Sequence, residues 1–166
     1  KCLHWVFQAK FSPKKGRSHV LRIIRELIEF KPKSKLTDIA EALKFLSNVM
    51  KKKAIVFLLS DFMTEEYQHN LKIASGKHDI TGIRVYDKYE AEIPNLGMVQ
   101  MQDQETGASF LVNTASKRVR KNYQANYQTK LHYFSDSFKK SGAGALDCRV
   151  DESYVKKLLG YFKQRG

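Results

Sequence analysis

The sequence predicts a doubly wound α/β fold, a mainly parallel sheet with helices on both faces and an edge hairpin. Three observations carry that expectation. Ala54 to Ser60 is a continuous apolar run of strand-forming residues, the signature of a strand covered on both faces. An amphipathic helical pattern precedes it, and a second follows before the next β-rich run, Ile80 to Tyr86. Strand, helix, strand units cross over right-handedly and pair in parallel. A chain of 166 residues is one domain's worth, so residues 1–166 are read as a single domain.

Taken in order, Leu3 to Phe11 has the aromatic and β-branched content of a strand, and Pro13-Lys14-Lys15-Gly16 breaks it. Ser18 can cap a helix whose Val20, Ile24, Leu27 and Ile28 share one face, a surface helix packed on a sheet that ends near Phe30 before Pro32. Thr37 caps a second helix with Ile39, Leu43, Leu46 and Met50 as its apolar stripe. Lys51-Lys52-Lys53 follows, where positive charge suits the helix dipole. After the buried strand, Glu65 to Ser75 reads as a helix stopped by Gly76. Met98 to Asp103 and Ala108 to Asn113 flank a Gly-containing turn and form an antiparallel hairpin of the kind that decorates sheet edges. Ser116 to Lys140 is a long helix, with Val119, Tyr123, Tyr127, Leu131, Phe134 and Phe138 at core spacing. A strand near Ala145 to Val150 and a last helix, capped by Asp151 and buried through Tyr154, Val155, Leu158, Leu159 and Phe162, complete the chain.

The formal net charge is +13, which favours anionic partners: nucleic acid, acidic proteins or an anionic membrane surface. The longest apolar run falls far short of the roughly 20 residues a membrane span needs. Cys2 and Cys148 give neither a disulfide framework nor a zinc spacing, which fits a reducing, cytoplasmic setting. The start, Lys1-Cys2-Leu3-His4-Trp5, has no initiator Met and no signal-peptide core, and it reads as a chain truncated before about residue 14.

Candidate functional residues gather at strand ends. In open α/β sheets the ligand crevice lies beyond the carboxyl ends of the strands, which places Asp61, after Ser60, at such a mouth and Asp87 on the same rim. Asp38 opens the second helix and joins them as a rim residue. Two basic clusters, Lys14, Lys15 and Arg17, then Lys117, Arg118, Arg120 and Lys121, are anion-binding candidates whose ordinary role is a solvated face. The five histidines are scattered without a metal-binding pair, and neither Ser60 nor Cys148 sits in a Gly-flanked nucleophile elbow, so no catalytic residue is assigned.

Lys14 to Leu27, Thr37-Asp38-Ile39-Ala40-Glu41-Ala42-Leu43 and Val56-Phe57-Leu58-Leu59-Ser60-Asp61-Phe62 occur in this order. They are followed by Arg84-Val85-Tyr86-Asp87, the Asp103 to Gly107 turn and Asp151-Glu152-Ser153-Tyr154-Val155. This series resembles the bacterial "domain of unknown function fifty-eight" proteins, which contain a von Willebrand factor A-like domain. The resemblance implies a Rossmann-like sheet with a metal-ion-dependent adhesion site, in which Thr37 and Asp61 match two of the Mg²⁺-holding positions. The Asp-x-Ser-x-Ser element of that site is absent, and Lys1 to Lys10 does not match the family strand expected before Lys14. The site is therefore read as partial and any Mg²⁺ binding as weak, because Mg²⁺ demands near-octahedral oxygen ligation from several sides. The resemblance also implies a protein partner, a MoxR-like ATPase or a client of one.

The leading expectation is a non-enzymatic protein-interaction module. One alternative is a Mg²⁺-dependent phosphoesterase or nuclease using Asp38, Asp61 and Asp87 around a metal. Another is a non-specific nucleic-acid binder. A missing strand would leave open sheet edges, which favour a homodimer or recruitment of Leu3 to Phe11.

Overall fold

The computed structural model describes residues 15–29, 38–103 and 107–165. The expected strand Leu3 to Phe11, Lys14, Thr37 and the tip of the hairpin turn lie outside these residues. Within them the order is α1 (Arg17–Glu29), α2 (Ile39–Val49), β1 (Ile55–Ser60), α3 (Gln68–Lys77), β2 (Asp79–Tyr86) and the single turn α4 (Lys88–Ala91). The hairpin strands β3 (Met98–Gln102) and β4 (Ser109–Asn113) follow, then α5 (Lys117–Lys140), β5 (Gly144–Arg149) and α6 (Tyr154–Arg165).

The result is a mixed α/β structure around a three-stranded parallel sheet in the order β1-β2-β5. Register pairs Leu58 with Gly82 and Gly82 with Ala145, so these three point to one face, while Phe57, Thr81 and Gly144 point to the other. The first face carries the core. Ile39 and Leu43 of α2, Leu71 of α3, and Phe134 and Phe138 of α5 close over Leu58 and Ile80. Phe62, just past β1, stacks 4.5 Å from Phe134 and 5.3 Å from Phe138 between ring centroids. The second face meets only α6 among the described residues, where the Tyr161 hydroxyl lies 3.1 Å from Thr81 Oγ1 and Phe162 packs edge-on against Phe57. Helices thus flank the sheet on both faces.

Several expectations need correction. β1 is not buried on both faces: Ile55, Phe57 and Leu59 are exposed, and α6 meets that face where Phe162 packs against Phe57. The hairpin forms a sheet of its own rather than extending the main one. It is fastened at its base by buried Thr114, whose Oγ1 donates to Gly97 O and accepts from Leu96 N. The α2 cap is Asp38, which accepts from Glu41 N at 2.8 Å, and Met50 ends the helix exposed. α3 starts at Gln68, not Glu65, because Phe62 and Glu66 take left-handed backbone conformations that a helix cannot pass through. It then runs through Gly76 to Lys77, and His78 N closes the last turn on Ala74 O. Asp151 does not cap α6; its carboxylate accepts from Arg149 Nε. The expected inner face of α6 is mostly exposed at Tyr154, Val155, Leu159 and Phe162, because the helix turns Tyr161 inward instead. In α1 the apolar residues Val20, Leu21, Ile24 and Ile28 are likewise exposed, so these four do not form a face packed on the sheet.

Candidate functional site

Parallel pairing brings the carboxyl ends of β1 and β2 to one rim. Ser60 is level with Arg84, so Asp61 leaves β1 one residue later, and β2 runs two residues further before Asp87. Asp61 is exposed, and its Oδ1 accepts from Met63 N at 3.2 Å and from Ser60 Oγ at 3.3 Å. Ser60 Oγ in turn accepts from Phe62 N. These bonds shape the loop that lets Phe62 swing into the core. Asp87 caps α4, accepting from Tyr89 N at 2.8 Å.

A third carboxylate, Glu90, joins the rim. Glu90 is exposed, but crowding of its carboxyl by neighbouring groups removes some of its water and is the main cause that raises its pKa above the ordinary glutamate value. The negative charges of Asp61 and Asp87 add to it, against relief from an Asp87 backbone hydrogen bond and from Arg84. Tyr123 of α5 is pushed up too, first by burial and then by Glu90. Neither was singled out in the sequence. Glu90 had one legible signal, the Asp87-x-x-Glu90 spacing of a capping box; Tyr123 read only as core.

Below the rim, Arg84 is almost wholly buried. Its Nε donates to Asp147 Oδ1 at 2.5 Å, its Nη1 to the Tyr127 hydroxyl at 2.6 Å, and its guanidinium lies 4.0 Å from the Tyr86 ring centroid. Strands β2 and β5 and helix α5 are tied together at the point from which the rim residues project.

The predicted site residues are only partly assembled. Asp38 spends its carboxylate on capping, and among the described residues no group of three His, Cys, Asp or Glu side chains is placed to share a metal ion. Of the two predicted Mg²⁺ positions, Asp61 commits one oxygen to its own loop, and Thr37 lies outside the described residues. In the basic clusters, Lys15, Arg17, Lys117, Arg118 and Lys121 are exposed. Arg120 is different: its Nη1 donates to Thr114 O and Ala115 O, so it closes the turn before α5 rather than waiting for an anion. Cys148 is a buried free thiol whose pKa is raised by burial. No helix among the described residues is long and apolar enough to cross a membrane.

Fold and rim together define an α/β protein with a carboxylate-bearing edge at its strand ends. The chain belongs to the DUF58 family, proteins of unknown function, whose match covers residues 5–133. It is 24% identical over 129 residues to an uncharacterised protein of Mycobacterium avium, an alignment covering 77% of this chain and 76% of that protein. It is 22% identical over 155 residues to uncharacterised proteins of Mycobacterium bovis and Mycobacterium tuberculosis, covering 90% of this chain and 48% of each of them. The chain thus spans about half the length of those two relatives. No solved structure matches it significantly.

Proposed function

We propose that this chain is a non-enzymatic protein-interaction module of von Willebrand factor A-like type, and that the rim of Asp61, Ser60, Asp87 and Glu90 is its binding face. The observation that carries the proposal is the exposed Asp61 carboxylate at the mouth of β1, held in place by its own loop and reinforced by two further carboxylates. Such a rim selects a partner surface bearing Lys or Arg. A MoxR-like ATPase or one of its clients is the partner that the family resemblance favours, and Thr37 with Asp61 is then the remnant of an adhesion-type metal site.

The test compares the wild-type chain with Asp61→Ala in partner capture and in calorimetric titration with Mg²⁺ and Mn²⁺. Capture should weaken, while stability should change by less than about 1 kcal/mol because the lost bonds are exposed. Equal capture by both forms removes the rim from the function. Micromolar Mg²⁺ affinity abolished by Asp61→Ala would restore a working metal site and reopen metal-dependent chemistry.

A further inference from the structure

We propose that the opposite pole of the molecule, at the amino ends of the strands, docks on an anionic lipid bilayer. Helices α2, α3 and α5 each lead directly into a parallel strand, so their carboxyl ends all arrive at this pole. The last turn of α6 returns to it, where Arg165 Nη2 donates to Asp79 Oδ1 at 2.6 Å. A cavity of about 510 Å³, lined by Lys53, Ser75, Gly76, His78 and Gly142 among others, lies where the ends converge. Lys51, Lys52 and Lys53 follow α2, Lys77 ends α3, and Lys139 lies in the last turn of α5. These five are exposed, and among the described residues none of them forms an ion pair, whereas Asp79 is already taken by Arg165.

Lysines at helix carboxyl ends complement the helix dipoles, and that explains each of them singly. It does not explain the side chains around them. In the row Val49-Met50-Lys51-Lys52-Lys53-Ala54-Ile55, Val49 is 50% exposed, Met50 40% and Ile55 71%. Aliphatic side chains bracketing a triple lysine at one tip are what a bilayer surface takes: the lysines meet lipid phosphates while the aliphatic groups enter the headgroup boundary. A single-stranded nucleic acid would be gripped by exposed aromatic rings as stacking platforms, and this row has none. The rim of Asp61, Asp87 and Glu90 lies at the far ends of the same strands, so the lysine pole and the rim are separate surfaces. The inference stands without the function assigned to that rim.

The experiment is partition of the full chain onto large unilamellar vesicles of phosphatidylcholine, with and without phosphatidylglycerol. Binding should require phosphatidylglycerol and fall with salt. Lys51→Gln/Lys52→Gln/Lys53→Gln should weaken it about a hundredfold, at about fivefold per lysine. Ile55→Ser should weaken it several-fold further, and Lys117→Gln/Lys121→Gln, in the other cluster, should leave it unchanged. All of these side chains are exposed, and unchanged circular dichroism confirms that the variants fold. Equal partition onto neutral vesicles, or indifference to the triple substitution, overturns the proposal. So does binding of a single-stranded oligonucleotide, in place of vesicles, that needs the same lysines but not Ile55.

Discussion

Replacing Gly82 with alanine tests whether the core is built on close approach of α5 to β2. A Cβ at Gly82 would lie 2.5 Å from Phe138 Cε1, closer still to Cζ, and 3.2 Å from Phe134 Cε2. The Phe138 ring cannot retreat freely: it has no solvent exposure and is held by Phe62, Tyr67 and Phe134. Overpacking of this kind costs about 1–3 kcal/mol. The lost flexibility of glycine in the unfolded chain returns about 0.4–1 kcal/mol. A net loss of about 1–2 kcal/mol should therefore appear as a lower urea midpoint with an unchanged slope. Phe138→Ala alone should cost about 3–5 kcal/mol by opening a cavity. In the double variant the new methyl enters that cavity, so the combined loss should fall short of the sum by about 1–2 kcal/mol. A Gly82→Ala protein as stable as wild type, or strict additivity in the double variant, would refute the proposed contact between β2 and α5.

Two other perturbations probe the rim and its support. Asp147→Ala removes the carboxylate partner of the buried Arg84 guanidinium; breaking a fully buried pair costs about 3–5 kcal/mol, but Asp147 is half exposed and Tyr127 remains bonded, so urea unfolding should show a loss of about 1–2 kcal/mol. Asp147→Asn, which keeps an acceptor, should lose less. Because the folded pKa of Glu90 is raised, the folded state holds its proton more tightly than the unfolded chain does; the stability this gives is complete below the unfolded glutamate pKa and is lost as pH rises through the folded value. Glu90→Gln should therefore raise Tm at neutral pH relative to wild type and lose that advantage in acid, and an equal Tm difference at both pH values would show that Glu90 charge is not the cause.

Local pattern alone determined most of the element order. The strand positions of β1 and β2, the hairpin and the span of α5 follow from period and turn chemistry, and the burial of Tyr127, Phe134 and Phe138 follows from their spacing in α5. The parallel pairing of β1 with β2, and hence a shared rim for Asp61 and Asp87, was legible because a helical crossover leaves little choice. Burial of whole faces was not legible. An apolar run such as Ile55 to Leu59 reads the same whether one face of the strand is covered or both, and only tertiary packing leaves Ile55, Phe57 and Leu59 exposed. The apolar side chains of α6 point outward for the same reason, since the place of a helix over a sheet is set by which neighbours exist to receive it. At the site, the chain showed which carboxylates stand at strand ends, but not how they are used. Asp38 on a helix cap, Arg120 on a turn, Glu90 drawn into the rim and Arg84 buried beneath it all depend on contacts between segments far apart in sequence or on backbone geometry that composition does not encode. The clustering of Lys51, Lys77 and Lys139 at one pole is likewise a product of topology: each lysine ends its own helix, and only the parallel sheet brings those ends together.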